Sequence, residues 1–180
     1  MKKIIAASLM AMAVSCGSAL ADGHIKLKFE PGKESRFTWA SYDAFAKATD
    51  LSGQTLTIFG PWRGDDQLLV ESMLDYFRAA TGAEVKYSSS ENYEQQIVID
   101  TQAGSPPNIA VLPQPGLIAD LASKGLLTPL GDASANWMKE NYAAGQSWVD
   151  LGTYAGKDGK KDFYAFSYKA DLKSLVWYSP

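Results

Sequence analysis

The sequence has almost none of the residues that metal sites, disulfides and nucleophilic triads require. Its 180 residues include one cysteine, Cys16, and one histidine, His24. A single cysteine forms no internal disulfide, and a structural zinc site needs several cysteine or histidine ligands. A catalytic serine or cysteine needs a base beside it, and a histidine so near the N-terminus is poorly placed for that role. We therefore expect no metal site and no hydrolytic triad.

A phosphate-binding loop is also missing, and the charge is of the wrong sign for nucleic acid. The segment GKDGKKD lacks the glycine spacing and terminal hydroxyl residue of a Walker motif, so we expect no nucleotide and no other cofactor. Removal of residues 1–21 takes two lysines from the 17 basic residues and leaves the 20 acidic ones, a net charge of about −5. We expect no nucleic-acid partner.

The first residues have the pattern of an export signal. Two lysines precede an apolar stretch from Ile4 to Val14, and Ala-Leu-Ala closes the segment at Ala21. The pattern predicts a secretory signal peptide at residues 1–21, cleaved after Ala21, and a periplasmic protein. The alternative is a lipoprotein, because Ala-Val-Ser-Cys resembles a lipobox ending at Cys16.

Strand and helix patterns alternate through the middle of the chain. The predicted strands are Thr55–Phe59, Ala83–Tyr87 and Ile109–Leu112, and the predicted helices begin at Asp65, Asn92 and Leu117. The last strand is a short apolar run between prolines, which is typical of a strand buried on both faces. The alternation predicts a doubly wound α/β fold with a ligand cleft beyond the carboxyl ends of its strands.

Several local patterns refine this prediction. Leu69, Met73 and Phe77, with Val70 and Leu74 beside them, recur at four-residue spacing and predict an amphipathic helix. Asn92 and Gln95 have the spacing of a capping box. The remaining predictions are an extension at residues 22–52 with a helix near 41–48, a main fold at 53–180, a helix at 136–144, a hairpin turn at 157–160, and strands at 164–166 and 175–178.

Two loops at predicted strand ends carry groups suited to a sugar. In GPWRGDD, Trp62 can stack on a sugar face while Arg63 and Asp65 bind its hydroxyls. Alternatively, Trp62 covers the edge of the core and Arg63 pairs with a surface acid. In PQPG, Gln114 can contact a ligand or cap a helix.

Acidic residues at the same strand ends leave a second chemistry open. A glycosidase needs two carboxyl groups a few ångströms apart, and Asp65, Asp66, Glu91 and Glu94 all follow strands. Their alternative roles are favourable helix-start charge for the aspartates and solvent exposure or capping for the glutamates.

The chain resembles the maltose-type extracellular solute-binding proteins of ABC transporters, closest to the α-glucoside-binding branch. The resemblance is carried by GPWRGDD, by residues 91–130 from ENYEQQIVID to LASKGLLTPL, by KSLVWYSP at the C-terminus and by RFTWASYDAF in the extension. Asn108 stands where relatives often have Asp, which keeps a turn-forming residue.

The resemblance implies a periplasmic-binding-protein-like (type II) fold in which two α/β lobes close on a sugar. Its ligand-binding residues fall at Trp62, Arg63, Asp65, Ser90, Glu91, Asn92, Gln114, Pro115 and Trp177. Members of the family are over twice as long, so the resemblance covers an incomplete N-terminal lobe up to the first hinge, with the second lobe absent.

The function implied is that of the substrate-binding component of an ABC sugar transporter, not an enzyme. It would bind α-glucosides or oligosaccharides, deliver them to permease subunits in the inner membrane, and be a monomer when complete. Two alternatives stay open: a secreted carbohydrate-active enzyme, and a nonfunctional truncated remnant of a binding protein.

Overall fold

The computed structural model describes residues 25 and 27–168. The predicted signal peptide, Cys16, His24, Trp177 and the predicted strand at 175–178 lie outside the described residues. Among those residues, no helix has the length and apolar character needed to cross a bilayer.

Six helices and five strands make up the described part of the chain. The helices are α1 (Trp39–Ala48), α2 (Asp65–Thr81), α3 (Tyr93–Gln102), α4 (Pro115–Ser123), α5 (Gly131–Asn141) and α6 (Gln146–Leu151). The strands are β1 (Thr55–Phe59), β2 (Glu84–Ser88), β3 (Ile109–Ala110), β4 (Thr153–Ala155) and β5 (Lys161–Phe163).

A parallel three-stranded sheet organises the fold. Its strand order is β2-β1-β3, with Thr55 opposite Glu84 and Ile58 opposite Ile109. One apolar cluster contains Ile58 and Val85 with α2 packed against it, and a second contains Phe59 with α3 and α4. The α/β fold expected from the sequence is confirmed, and helices cover both faces of the sheet.

Helix α2 shows why the sequence predicts its ends better than its buried face. Acidic residues occupy its first turn, and Gly82 ends it with a φ of 72° and an N–H donated to the Arg78 carbonyl. Val70 is buried and Leu74 and Phe77 pack against the sheet, whereas Leu69 and Met73 are exposed. Residues one position apart are about 100° apart around a helix, so only one of the two neighbouring stripes faces the sheet.

The predicted third strand is shorter and less buried than expected. Strand β3 covers only Ile109–Ala110, although the Val111 N–H still donates to the Phe59 carbonyl at 2.9 Å. Ile109 is exposed, so the prediction of a strand buried on both faces is wrong for the described structure. The reason is that β3 lies at the edge of the sheet as described, where it pairs with β1 alone.

The predicted capping box at the start of α3 is also wrong. Asn92 occupies the N-cap position but makes no side-chain hydrogen bond to the helix. Its φ of −101° and ψ of 40° lie outside the extended region in which an N-cap side chain turns back toward the helix.

A helical pair and a hairpin follow the sheet. Strands β4 and β5 are antiparallel around the predicted turn, where Gly159 has a φ of 80°. The strand predicted at 164–166 is instead Lys161–Phe163. The N–H groups of Tyr164 and Ala165 both donate to the Gly152 carbonyl, so the regular pairing ends there. Helix α5 begins and ends earlier than predicted, and α6 had no predicted counterpart.

The extension packs on α2 through an aromatic cluster. The Tyr76 hydroxyl accepts from the Phe29 N–H at 2.6 Å and donates to the Phe29 carbonyl at 2.8 Å. Tyr42 donates to the Tyr76 carbonyl, and the ring centroids of Phe45 and Phe77 are 6.1 Å apart. The boundary at residues 52 and 53 stays a prediction.

Candidate functional site

Three loops meet at the carboxyl edge of the parallel sheet. Residues 60–64 connect β1 to α2, residues 89–92 connect β2 to α3, and residues 111–114 connect β3 to α4. Neighbouring parallel strands end at one edge, so the N-termini of α2, α3 and α4 also converge there. Gly64, Asn92 and Gln114 make no side-chain capping bond, which leaves helix N–H groups available to ligand oxygens. Helices α1, α5 and α6 also lack a side-chain N-cap bond. What distinguishes α2, α3 and α4 is that their N-termini lie together at this edge of the sheet.

Trp62, the central aromatic residue of the first loop, is anchored by Tyr87. The Tyr87 hydroxyl accepts from the Trp62 N–H at 2.9 Å and donates to the Trp62 carbonyl at 3.0 Å. The two ring centroids are 6.2 Å apart, and the Tyr168 ring meets Trp62 edge-on at 5.5 Å. Burial raises the pKa of the Tyr87 hydroxyl, so it stays protonated and keeps both bonds at neutral pH.

Gly60 allows this close approach of loop and tyrosine. A Cβ at this position would stand 2.9 Å from Tyr87 Oη and 3.1 Å from Tyr87 Cε2. The sequence identified Gly60 as a strand stop, and the structure adds that any side chain there would displace the anchor of Trp62. Neither Tyr87 nor the steric need for Gly60 had a signal in the sequence, because the contacts join residues more than 20 positions apart.

Arg63 and Glu91 bind each other across the first and second loops. Arg63 Nη1 lies 2.8 Å from Glu91 Oε1, with side chains 49% and 79% exposed. This is the arrangement in which Arg63 pairs with a surface acid, so a ligand role for either residue requires exchange of this pair. Asp65 and Asp66 lie exposed in the first turn of α2, as helix-start charge predicts. The ligand role of Asp65 stays a prediction.

Two buried hydroxyls lie in the second loop and at the first residue of α3. Ser90 Oγ and Tyr93 Oη are inaccessible to solvent and hydrogen-bond to none of the described residues. The Tyr93 ring packs against Phe59 at 5.4 Å, and burial raises the pKa of its hydroxyl. Tyr93 was not among the predicted site residues, whereas Asn92 is exposed at the N-cap of α3.

The third loop presents Gln114 and Pro115 at the start of α4. The Gln114 carbonyl accepts the Leu117 and Ile118 N–H groups at 3.1 and 3.3 Å, while its exposed side chain caps nothing. Pro115 is the first helical residue, where a missing N–H costs little. Side-chain capping by Gln114 is therefore ruled out here, and ligand contact stays a prediction.

Asn108 fixes the approach to the third loop. Its Oδ1 accepts from the Thr57 N–H at 2.8 Å and from the Thr57 hydroxyl at 2.9 Å. Its own N–H donates to the Thr57 hydroxyl at 2.9 Å. Asn108 is therefore a link between β1 and β3, a larger role than the turn position predicted from sequence.

The arrangement is that of an open α/β sheet with three loops at its carboxyl edge and no cluster of three or more metal-ligating side chains among residues 25 and 27–168. The profile of the family described as bacterial extracellular solute-binding protein matches residues 60–180. The chain belongs to this family, whose members are binding proteins.

Two curated relatives refine the comparison. The chain is 65% identical over 183 aligned positions to the alpha-glucosides-binding periplasmic protein AglE of Rhizobium meliloti (strain 1021), covering 100% of the chain and 40% of that relative. It is 39% identical over 132 positions to the osmoprotective compounds-binding protein GgtB of Synechocystis sp. (strain ATCC 27184 / PCC 6803 / Kazusa), covering 73% of the chain and 30% of that relative. The chain thus spans less than half the length of either.

Proposed function

We propose that this chain belongs to the substrate-binding component of an ABC sugar transporter, which binds α-glucosides or oligosaccharides in the periplasm and delivers them to the inner-membrane permease. The family membership and the first relative's name support this proposal. The observation that carries it is the placement of Trp62 at the carboxyl edge of the sheet. The Tyr87 hydroxyl hydrogen-bonds to both the N–H and the carbonyl of Trp62 and so fixes its backbone. A fixed aromatic face beside polar groups is what recognition of a polyol requires.

Each predicted site residue has a role in this proposal. Trp62 stacks on a sugar ring, and Asp65, Asn92 and Gln114 exchange hydrogen bonds with its hydroxyls. The uncapped N–H groups of the three helices are further donors to ligand oxygens. Arg63 and Glu91 would contact the ligand after their mutual ion pair is replaced by bonds to sugar hydroxyls. The remaining predicted contacts are Ser90, Pro115 and Trp177.

The proposed role is binding without turnover. Binding energy in such a protein holds the ligand in its ground state, so no acid, base or nucleophile is assigned. The enzyme alternative rests on Asp65 and Glu91, and Glu91 is bound to Arg63 in this structure. Turnover of a chromogenic α-glucoside by the wild-type chain, abolished by Asp65→Asn or Glu91→Gln, would favour the enzyme instead.

A thermal-shift panel tests the ligand class. Residues 22–180, and the product of the longer reading frame where the gene continues past Pro180, are melted with maltose, sucrose, trehalose and unrelated solutes. A ligand at 100 times its Kd that binds only the folded state stabilises it by about 2.7 kcal/mol. We expect α-glucosides to raise the Tm of the longer product, and shifts with unrelated solutes alone would refute the assignment. The second relative's name makes osmoprotective compounds the comparison set.

The proposal also includes export and processing. Signal peptidase cleavage after Ala21 gives a mature chain that begins at Asp22, whereas the lipoprotein alternative begins at a lipidated Cys16. Intact-mass spectrometry of the protein from periplasmic and membrane fractions distinguishes the two. Sedimentation of the complete protein measures its mass in solution and so tests the expected monomer. Sedimentation with added nucleic acid tests the expectation that none is bound.

A further inference from the structure

We propose that Trp137 and Phe166 form an outer aromatic subsite that binds a further sugar unit of a longer oligosaccharide. This inference rests on the proposed function and extends it from the ring stacked on Trp62 to the length of the ligand. It concerns the part of the chain around α5, to which the sequence assigned no binding role.

Two ring contacts, joined by a short segment of chain, connect the two places. Tyr168 meets Trp62 edge-on at 5.5 Å between ring centroids, and Phe166 meets Trp137 at 5.6 Å with an interplanar angle of 39°. Two residues of chain span at most about 7 Å, so Phe166 and Tyr168 are close neighbours along one segment. The Trp62 loop and α5 are therefore connected by two ring contacts and one short segment of chain.

The segment between the two rings is held in place. The Tyr142 hydroxyl donates to the Ser167 carbonyl at 2.7 Å, and the Tyr142 ring meets Phe166 nearly at right angles at 5.8 Å. A fixed backbone gives the rings a defined orientation before any ligand arrives, which lowers the entropic cost of binding.

The outer subsite has room for a ligand. Ala133, Ser134, Trp137 and Phe166 line an open, mostly apolar depression of about 430 Å³. Enclosed small-molecule sites have volumes of about 300–1,000 Å³, and this more open depression would leave one face of a bound ring in water. The Ser134 hydroxyl donates to the Leu130 carbonyl at 3.1 Å, so its oxygen still has a lone pair for a ligand hydroxyl. An apolar floor with one polar group suits the face of a sugar ring.

Core packing does not account for the position of Trp137. The side chain that anchors α5 is the adjacent Met138, which is fully buried, while Trp137 is 53% exposed. Phe166 and Tyr168 are 38% and 59% exposed. Three neighbouring rings thus keep much of their surface in water. Because this segment also contacts the Trp62 loop, the ligand proposed for these rings is the far end of an oligosaccharide whose first ring is stacked on Trp62.

The test follows each tryptophan separately by NMR. In isotope-labelled protein of residues 22–180, the indole N–H signals of Trp62 and Trp137 are assigned with Trp62→Phe and Trp137→Phe. Maltose and maltotetraose are then titrated to high concentration, so that weak binding is still observed. We expect maltose to shift the Trp62 signal alone and maltotetraose to shift both signals.

Variants give the inference a second measure. Trp137→Ala is expected to weaken maltotetraose binding at least fivefold and to leave maltose binding unchanged, while Trp137→Phe keeps most of the affinity. Phe37→Ala, which removes another exposed ring in the extension, is the matched control and should change neither. A Trp62 shift without a Trp137 shift would overturn the outer subsite while the proposed function stands. The absence of a Trp62 shift with either sugar would overturn both.

Discussion

Replacement of Tyr87 by phenylalanine tests whether this residue anchors the Trp62 loop. The change removes the hydroxyl that binds both the N–H and the carbonyl of Trp62. A typical hydrogen bond contributes about 0.5–1.5 kcal/mol net, and water can reach part of this half-buried loop, so we expect a loss of about 1–2 kcal/mol. With a urea dependence near 1.5 kcal/mol/M, the unfolding midpoint falls by about 1 M.

Tyr93→Phe is the matched control because the same atom is removed from a different environment. Tyr93 Oη is buried and hydrogen-bonds to none of the described residues, so its removal also removes a desolvation cost. We expect stability to stay constant or rise by up to about 1 kcal/mol. Urea unfolding of both variants, followed by circular dichroism, would refute the reasoning if they lost equal stability or if Tyr87→Phe lost none.

Three further predictions concern the same edge of the sheet. Gly60→Ala should cost about 1–3 kcal/mol in a urea titration, because its methyl group meets the Tyr87 ring; an unchanged midpoint would mean that the ring moves freely. Asn108→Ala should lose about 1–2 kcal/mol while Asn108→Asp, which keeps the accepting oxygen, stays near wild type in thermal melts; equal losses would contradict this. A double-mutant cycle on Arg63 and Glu91 should give a coupling energy below about 1 kcal/mol that falls with salt, and a larger, salt-independent value would argue against an exposed pair.

The sequence predicts the order of the elements well because its strongest signals are local. Gly60 and Pro61 stop β1 at its observed end, and Gly82 stops α2 in the left-handed conformation that glycine favours. The parallel topology followed from the alternation of strands and helices. That topology in turn predicted that loops far apart in the chain would share one edge of the sheet.

Burial was harder to predict because it depends on neighbours that a local pattern does not contain. Ile109 lies in an apolar run typical of a central strand, yet β3 pairs on one side only within the described sheet. Leu69 and Met73 have helical spacing, but the stripe through Val70 and Leu74 faces the sheet. In both cases the pattern predicted the strand or helix correctly but did not predict which of its side chains are buried.

For the candidate site, too, local features could be predicted from the sequence and long-range contacts could not. Trp62 and Gln114 could be placed at strand ends from sequence, whereas the Tyr87 anchor and the partner of Arg63 depend on contacts across 25 and 28 positions. The rings of Trp137 and Phe166 are 29 positions apart, and no spacing rule connects them. Only the fold brings such residues together.

The central claim is that the loop around Trp62 is a sugar-binding surface, and a calorimetric titration tests it most directly. Wild type, Trp62→Ala and the control Phe37→Ala are titrated with maltose, sucrose and trehalose, in residues 22–180 and in the longer product where the gene provides one. We predict saturable heats with at least one of these α-glucosides in wild type and in the control, and a loss of affinity of tenfold or more in Trp62→Ala. Equal affinity in Trp62→Ala, or no saturable heat with any of the three sugars, would contradict the claim.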